Sequence, residues 1–463
     1  MKWRNIGPAF TSGRIVDFAV VEQDPRIIYT ATASGGAWKT TDAGITWNPV
    51  FEKEETVSLG GIAVSRSNPN VVWVGTGEPN ARNLRSTSWG NGVYKSEDGG
   101  KSWTHLGLEL SQHIGRIVIH PEDHNVVYVS CLGTMWGNDP KRNEARGLFK
   151  TTDGGKTWTK SLSVGEQAGI VEVAMDPRDP DTLYAGAWHR ERRDWSYINV
   201  GPDGGIFKTV DGGETWDRLT NGLPQGEIGR VGLSVCRSQP DTVYAVIEGK
   251  EGGVFRTDDR GASWDHRSTR TSASMYYGQV RCDPGNPERV YVLQTQLALS
   301  EDGGRTFNTD LPRRGVHVDH HALWIDPTNS DHLLLGNDGG IYITYDRGEN
   351  WRFVANLPIT QFYTVAVDIK EPFYYVYGGT QDNNSFGGPS GTRNIDGIVN
   401  DDWTMTVGGD GFFLQIDPVD RHIVYTESQY GRLVRFDYRT GERRLIQPQP
   451  PEGTKYRWNW SAP

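Results

Sequence analysis

Apolar runs of four to six residues recur along the whole chain, each closed by a polar turn, and they fall into a repeating order. An apolar run leads to a reverse turn containing Pro, then to a second run ending in a Val/Ile-Tyr pair. Arg116-Ile117-Val118-Ile119-His120-Pro121 with Val126-Val127-Tyr128 is one copy, and Val173-Ala174-Met175-Asp176-Pro177 with Thr182-Leu183-Tyr184 is another. The fixed φ of Pro suits the turn, and its missing N–H costs the ladder nothing. A second hairpin follows: a strand ending in Thr or Ser, then Asp, a Gly-rich turn and an aromatic. Thr151-Thr152-Asp153-Gly154-Gly155-Lys156-Thr157-Trp158 is typical, and seven copies carry Asp42, Asp98, Asp153, Asp211, Asp259, Asp302 and Asp346. Successive Asp residues lie about 43 to 58 apart, the length of one four-stranded propeller blade.

The pattern predicts an all-β propeller of about nine to ten four-stranded units, forming one continuous array over residues 1–463 and a single large ring. Units begin near residues 14, 60, 115, 169, 229, 278, 320, 362 and 411, and a tenth begins at about 456, as though the array stops in mid-blade. Units eight and nine have lost the Asp hairpin.

Composition agrees with many short strands and tight turns: 57 Gly and 17 Trp in 463 residues, without long Leu/Ala/Glu/Lys stretches. No run approaches the roughly 18 apolar residues that a membrane span needs. The start, Met1-Lys2-Trp3-Arg4, lacks the apolar core of a signal peptide. A net charge of −10 and the want of a Lys/Arg block exclude a nucleic-acid partner. Cys131, Cys236 and Cys282 are too few and scattered for a disulfide framework or a zinc site, so they read as small buried strand residues.

The repeated Asp reads as a clasp rather than a catalyst. Its carboxylate is expected to accept N–H groups of the following Gly residues, which supply positive φ, while the Trp packs between blades. Seven copies of one enzyme site on one chain would be odd; seven copies of a blade clasp are expected. This hairpin resembles the Asp-box, or bacterial neuraminidase repeat, over nearly the whole chain. Sialidases, two-propeller glycosidases that cut xyloglucan, and sortilin-type receptor propellers share it. Unit count and the run Trp3-Arg4-Asn5-Ile6-Gly7-Pro8 through Gly13-Arg14-Ile15 match bacterial sortilin-like repeat proteins best. That resemblance implies an extracellular or periplasmic protein that captures a peptide, protein or glycan. The Asp-box specifies fold and hardly any chemistry.

A catalytic Asp follows the first strand B in the xyloglucan-cutting glycosidases, in a Tyr-x-x-Thr-Asp-x-Gly-Gly setting. The matching stretch here is Tyr29-Thr30-Ala31-Thr32-Ala33-Ser34-Gly35-Gly36, with Ala33 at the Asp position. Three units open on Gly-Arg, at Arg14, Arg116 and Arg230, which resembles the carboxylate-binding arginines of sialidases. The sialidase Arg-Ile-Pro signature is absent, and pairing with neighbouring strands is the expected role.

Long loops at 76–92, 131–147, 188–205 and 380–402 all leave from one face, where binding is expected. Arg82, Trp89, Trp136, Trp188, Arg190, Trp195 and Tyr197 are its candidate ligand contacts, the alternative being that these aromatics bury one another. His320, Asp338, Gln381, Asp382, Asp410 and Gln429 form a second, polar set at the strand starts of units seven to nine. His317, Asp319 and His321 are the alternative metal ligands, for a divalent cation. A hydrogen-bonded channel lining is the plainer reading, and no cofactor is assigned. The sequence favours a non-catalytic binding scaffold. Its rival is a glycoside hydrolase acting on a polysaccharide through Asp319 and Asp410, at the roughly 5 to 9.5 Å carboxyl spacing such chemistry needs.

Overall fold

The computed structural model describes residues 4–80, 87–134, 144–193, 195–271, 275–310 and 315–462. Among the described residues nine blade-like antiparallel sheets follow one another, opening on strands Ile15–Val20, Leu59–Val64, Ile114–Ile119, Ala168–Asp176, Ile228–Val235, Gln279–Asp283, His320–Asp326, Phe362–Val367 and Leu414–Ile416, with a two-stranded ribbon of Glu191–Arg192 and Tyr197–Ile198 beside them. Each blade-like sheet runs up and down in chain order with four strands. The sixth has three, extended by a bridge between Leu299 and Asn308. Helical structure among the described residues is limited to three 3-10 turns. This is the propeller-type all-β architecture that the repeat predicts. No strand occurs in the described residues after Leu445.

Two compact units divide the chain. The larger comprises Ile15–Asn337 and Ile341–Val354 and holds the first seven sheets. Its opening strands neighbour one another in order, and the seventh returns to the first. Arg352 Nη2 donates to the Ala43 carbonyl at 3.2 Å. At Gly336 a Cβ would lie 2.6 Å from Ile15 Cγ2, so glycine is required there. The single ring of nine to ten units is therefore corrected: Ile15 already fills the place beside the seventh sheet that an eighth blade would need. The smaller unit comprises Met1–Arg14, Asp338–Gly340 and Ala355–Pro463 and holds the last two sheets.

The Asp hairpins share one hydrogen-bond pattern. In the third, Thr151 Oγ1 donates to Asp153 Oδ1 at 2.8 Å and accepts the Gly155 N–H at 2.9 Å. Asp153 then accepts the Thr157 N–H at 3.0 Å and its hydroxyl at 2.7 Å. The glycine N–H thus goes to the Thr or Ser hydroxyl, and the Asp binds the residue four positions on. These bonds hold the carboxyl down to about 2 at Asp42, Asp153 and Asp302, led by the hydroxyl bond from residue four positions on. Two of the Trp side chains are tied to the preceding blade: Trp103 Nε1 donates to Val50 O at 2.6 Å and Trp158 Nε1 to Leu106 O at 2.7 Å.

Cys236 and Cys282 form a disulfide between the fifth and sixth sheets, with Cα atoms 5.4 Å apart. This corrects the reading of the cysteines as too scattered to pair and as merely small buried strand residues. Neighbouring inner strands bring together positions 46 residues apart, which spacing alone does not reveal. Cys131 is free and buried, and burial pushes its thiol up. Arg116 bridges Asp17 at 2.9 Å and Glu172 at 2.7 Å, a pairing role across three inner strands.

Candidate active site

The smaller unit concentrates carboxyl groups at the turns of its two sheets. Asp338 lies just before the strand Gly340–Thr344, Gln381 and Asp382 follow Tyr375–Thr380, and Asp410 lies between Thr404–Val407 and Leu414–Ile416. Close backbone packing fixes their positions. Asn384 N donates to Gly409 O at 2.8 Å, and Gly411 N to Thr380 O at 2.9 Å. Asp382 and Asn384 are held at φ +57° and +78°, a conformation that non-glycine residues adopt at a cost and that is enriched at functional sites.

Arg14 anchors the group. Its Nε lies 2.6 Å from Asp338 Oδ1, and its Nη2 lies 3.2 Å from Oδ2 and 2.6 Å from Gln381 Oε1. Both side chains of the Arg14–Asp338 pair are fully buried. Gly13 allows Arg14 to enter: a Cβ at residue 13 would lie 2.2 Å from the Ile359 carbonyl oxygen. The Gln381 amide nitrogen donates to Asp338 Oδ2 at 3.3 Å and also to Asp382 Oδ2. Asp410 accepts the Asp382 N–H at 2.8 Å on one oxygen and Gln429 Nε2 at 3.0 Å on the other.

Three carboxyl groups in so small a space cannot all ionise. Burial, a hydrogen bond to Asp338, and the charges of Asp338 and Asp410 push Asp382 up to about 10, against the opposing pull of Arg14. Asp410 is raised as well, by burial first, with the Asp382 N–H and Gln429 holding it partly down. Arg14 pairs with Asp338, while burial and the neighbouring carboxylates raise Asp382 so that its protonated form is favoured at neutral pH. Asp382 is also the one of the three that is incompletely buried.

Asp319 belongs to the larger unit, where it accepts the Tyr277 hydroxyl. His321 stacks on Tyr277 at 5.6 Å, and His317 Nδ1 turns to the Val318 carbonyl at 2.8 Å. His320 is buried within that unit. Trp89 and Trp195 are 62% and 78% exposed, whereas Trp188 and Arg190 are fully buried. Tyr197 is half-buried, and Arg82 and Trp136 lie outside the described residues. The sequence singled out Asp338, Gln381, Asp382, Asp410 and Gln429 but did not connect them to Arg14; its one signal was Gly13-Arg14.

Relatives of this chain cut xyloglucan. It is 25% identical over 262 residues to the xyloglucanase Xgh74A of Acetivibrio thermocellus, covering 49% of this chain and 28% of the relative. It is also 25% identical over 213 residues to a probable oligoxyloglucan-reducing end-specific xyloglucanase of Neosartorya fischeri, covering 42% and 22%. The chain thus spans about a quarter of the length of these curated relatives. Among solved structures, it is similar to the GH74 enzyme of Niastella koreensis, with a TM-score of 0.64 at 20% identity over 95% of this chain and 67% of that one. The GH74 xyloglucanase of Xanthomonas campestris gives 0.59 at 16% identity, over 97% and 76%. No known protein-family profile matches the chain. These relatives overturn the expectation of a non-catalytic scaffold, which rested on the sortilin-like resemblance, the long-loop face and Ala33. Ala33 is buried just after strand Ile28–Thr32, so the first blade brings no carboxylate at that position.

Proposed function

We propose that this chain is a glycoside hydrolase acting on a polysaccharide, with Asp382 as its proton donor. The carrying observation is the largely buried Asp382 carboxyl, raised to about 10 by burial and neighbouring carboxylates, beside the Arg14-paired Asp338. General-acid cleavage needs such a group: its proton passes to the glycosidic oxygen as the C–O bond breaks, and water completes the sugar. The charges of Asp338 and Asp410 then draw a proton back to Asp382. Asp410 is a positioning residue, since both its oxygens are engaged by Asp382 and Gln429. The xyloglucanase relatives support a carbohydrate ligand and make xyloglucan the first substrate to try. The Cys236–Cys282 disulfide supports an extracellular or periplasmic location.

The test is release of reducing ends from xyloglucan, mixed-linkage β-glucan and pectin. Asp382→Asn is expected to lower kcat about 100-fold or more while the fold persists. Asp319→Asn tests the sequence's other candidate for the second carboxyl. No release from any substrate, or full activity in Asp382→Asn, overturns the assignment.

A further inference from the structure

A second polar cluster lies in the larger unit, where the second to fifth sheets meet their connecting loops. Arg190 follows strand Asp179–His189 and is 0% exposed; Arg146 precedes Gly147–Thr151 and is 2% exposed. Each makes one hydrogen bond, Arg190 Nη1 to Pro79 O at 2.9 Å and Arg146 Nη2 to Thr134 O at 2.7 Å. Arg190 Nε and Nη2, and Arg146 Nε and Nη1, have no hydrogen-bond partner among the described residues. The buried Tyr197 hydroxyl and His113 Nε2 are likewise unmatched.

Two nearby acids are engaged by other arginines. Glu191 is engaged by Arg193 Nε at 2.5 Å, and Glu172 by Arg116 at 2.7 Å. A further cation stands close instead: the Arg190 and Arg230 guanidiniums lie 4.9 and 5.3 Å from the Trp188 ring centre. Burial first, then Arg190 and Arg146, bring His113 down to about 3, so it adds no charge. Burial, with repulsion from Arg146 and Arg230, lowers Arg190 to about 9. Buried guanidinium donors are ordinarily matched, and an oxyanion is the group that guanidinium geometry matches best.

We infer that Arg146 and Arg190 form an anion-binding site for a carboxylate or phosphate group, with Trp188 as its floor. Two guanidiniums supply four open N–H-bearing nitrogens, and the Tyr197 hydroxyl supplies another donor. The site uses none of the residues assigned to hydrolysis and does not depend on that reading.

The experiment is calorimetric titration and thermal unfolding of the full chain with sodium glucuronate and, separately, inorganic phosphate at constant ionic strength. Saturable binding is expected with at least one probe, with a rise in Tm of roughly 3 °C at saturation. Glucuronate alone identifies a carboxylate ligand, phosphate alone a phosphate, and both a general oxyanion site. Arg190→Gln and Arg146→Gln should each remove the saturable response, while Asp382→Asn retains it. If one of the arginine variants does not fold, the other and the wild-type titration decide. No saturable response to either probe in the wild-type protein, or an unchanged response in a folded arginine variant, overturns the site.

Discussion

Arg14 and Asp338 stand 324 residues apart in sequence and face each other as a fork on a carboxylate, at 2.6 and 3.2 Å. The pair gives the buried Asp338 carboxyl a counter-charge, whereas burial raises Asp382, which Arg14 only partly opposes. Arg14→Leu leaves Asp338 buried without its counter-charge. A loss of about 3–5 kcal/mol in stability is expected, read by urea unfolding. Arg14→Leu combined with Asp338→Leu should recover part of that loss, because it leaves no unpaired charge.

The proton on Asp382 has a signature in stability as well as in activity. Its folded value, about 10, lies above the unfolded value near 3.8. The folded state therefore binds more protons between these limits, and stability from this group falls as pH rises through that window. Unfolding of the wild type and Asp382→Asn at pH 5, 7 and 9 should show the variant gaining relative stability with each step up in pH. An equal pH slope in both proteins would place the proton elsewhere.

His113 gives the opposite slope. It is fully buried, and its value of about 3 lies below the unfolded 6.5. The unfolded chain binds the extra proton below pH 6.5, so stability is lost as pH falls toward 3, at up to about 1.4 kcal/mol per pH unit. His113→Gln should flatten the acid limb of a plot of stability against pH.

The hairpin clasp puts its weight on the hydroxyl. In Thr151→Val, the buried Gly155 N–H loses its 2.9 Å acceptor, and Asp153 loses a 2.8 Å donor. A cost of about 1–3 kcal/mol is expected by denaturant unfolding. Thr151→Ser keeps the oxygen and should cost much less. Activity at moderate temperature should survive both changes.

Much of this protein is local. The strand and turn grammar repeats within each blade, so sheet starts read near residues 60, 115 and 169 coincide with strands opening at Leu59, Ile114 and Ala168. Asp338, Gln381, Asp382, Asp410 and Gln429 stand out in sequence because polar residues crowd turns that otherwise need only Gly or Asn. What the sequence could not determine depends on distant neighbours. Closure after seven sheets turns on Ile15 meeting Gly336, and the disulfide on two adjacent strands aligning Cys236 with Cys282. Trp188 and Arg190 look like surface recognition residues along the chain, yet the surrounding blades bury them. The proton on Asp382 depends most on tertiary structure. Desolvation and the charges of Asp338 and Asp410, with Arg14 opposing, act through space and leave no mark in the local pattern of residues.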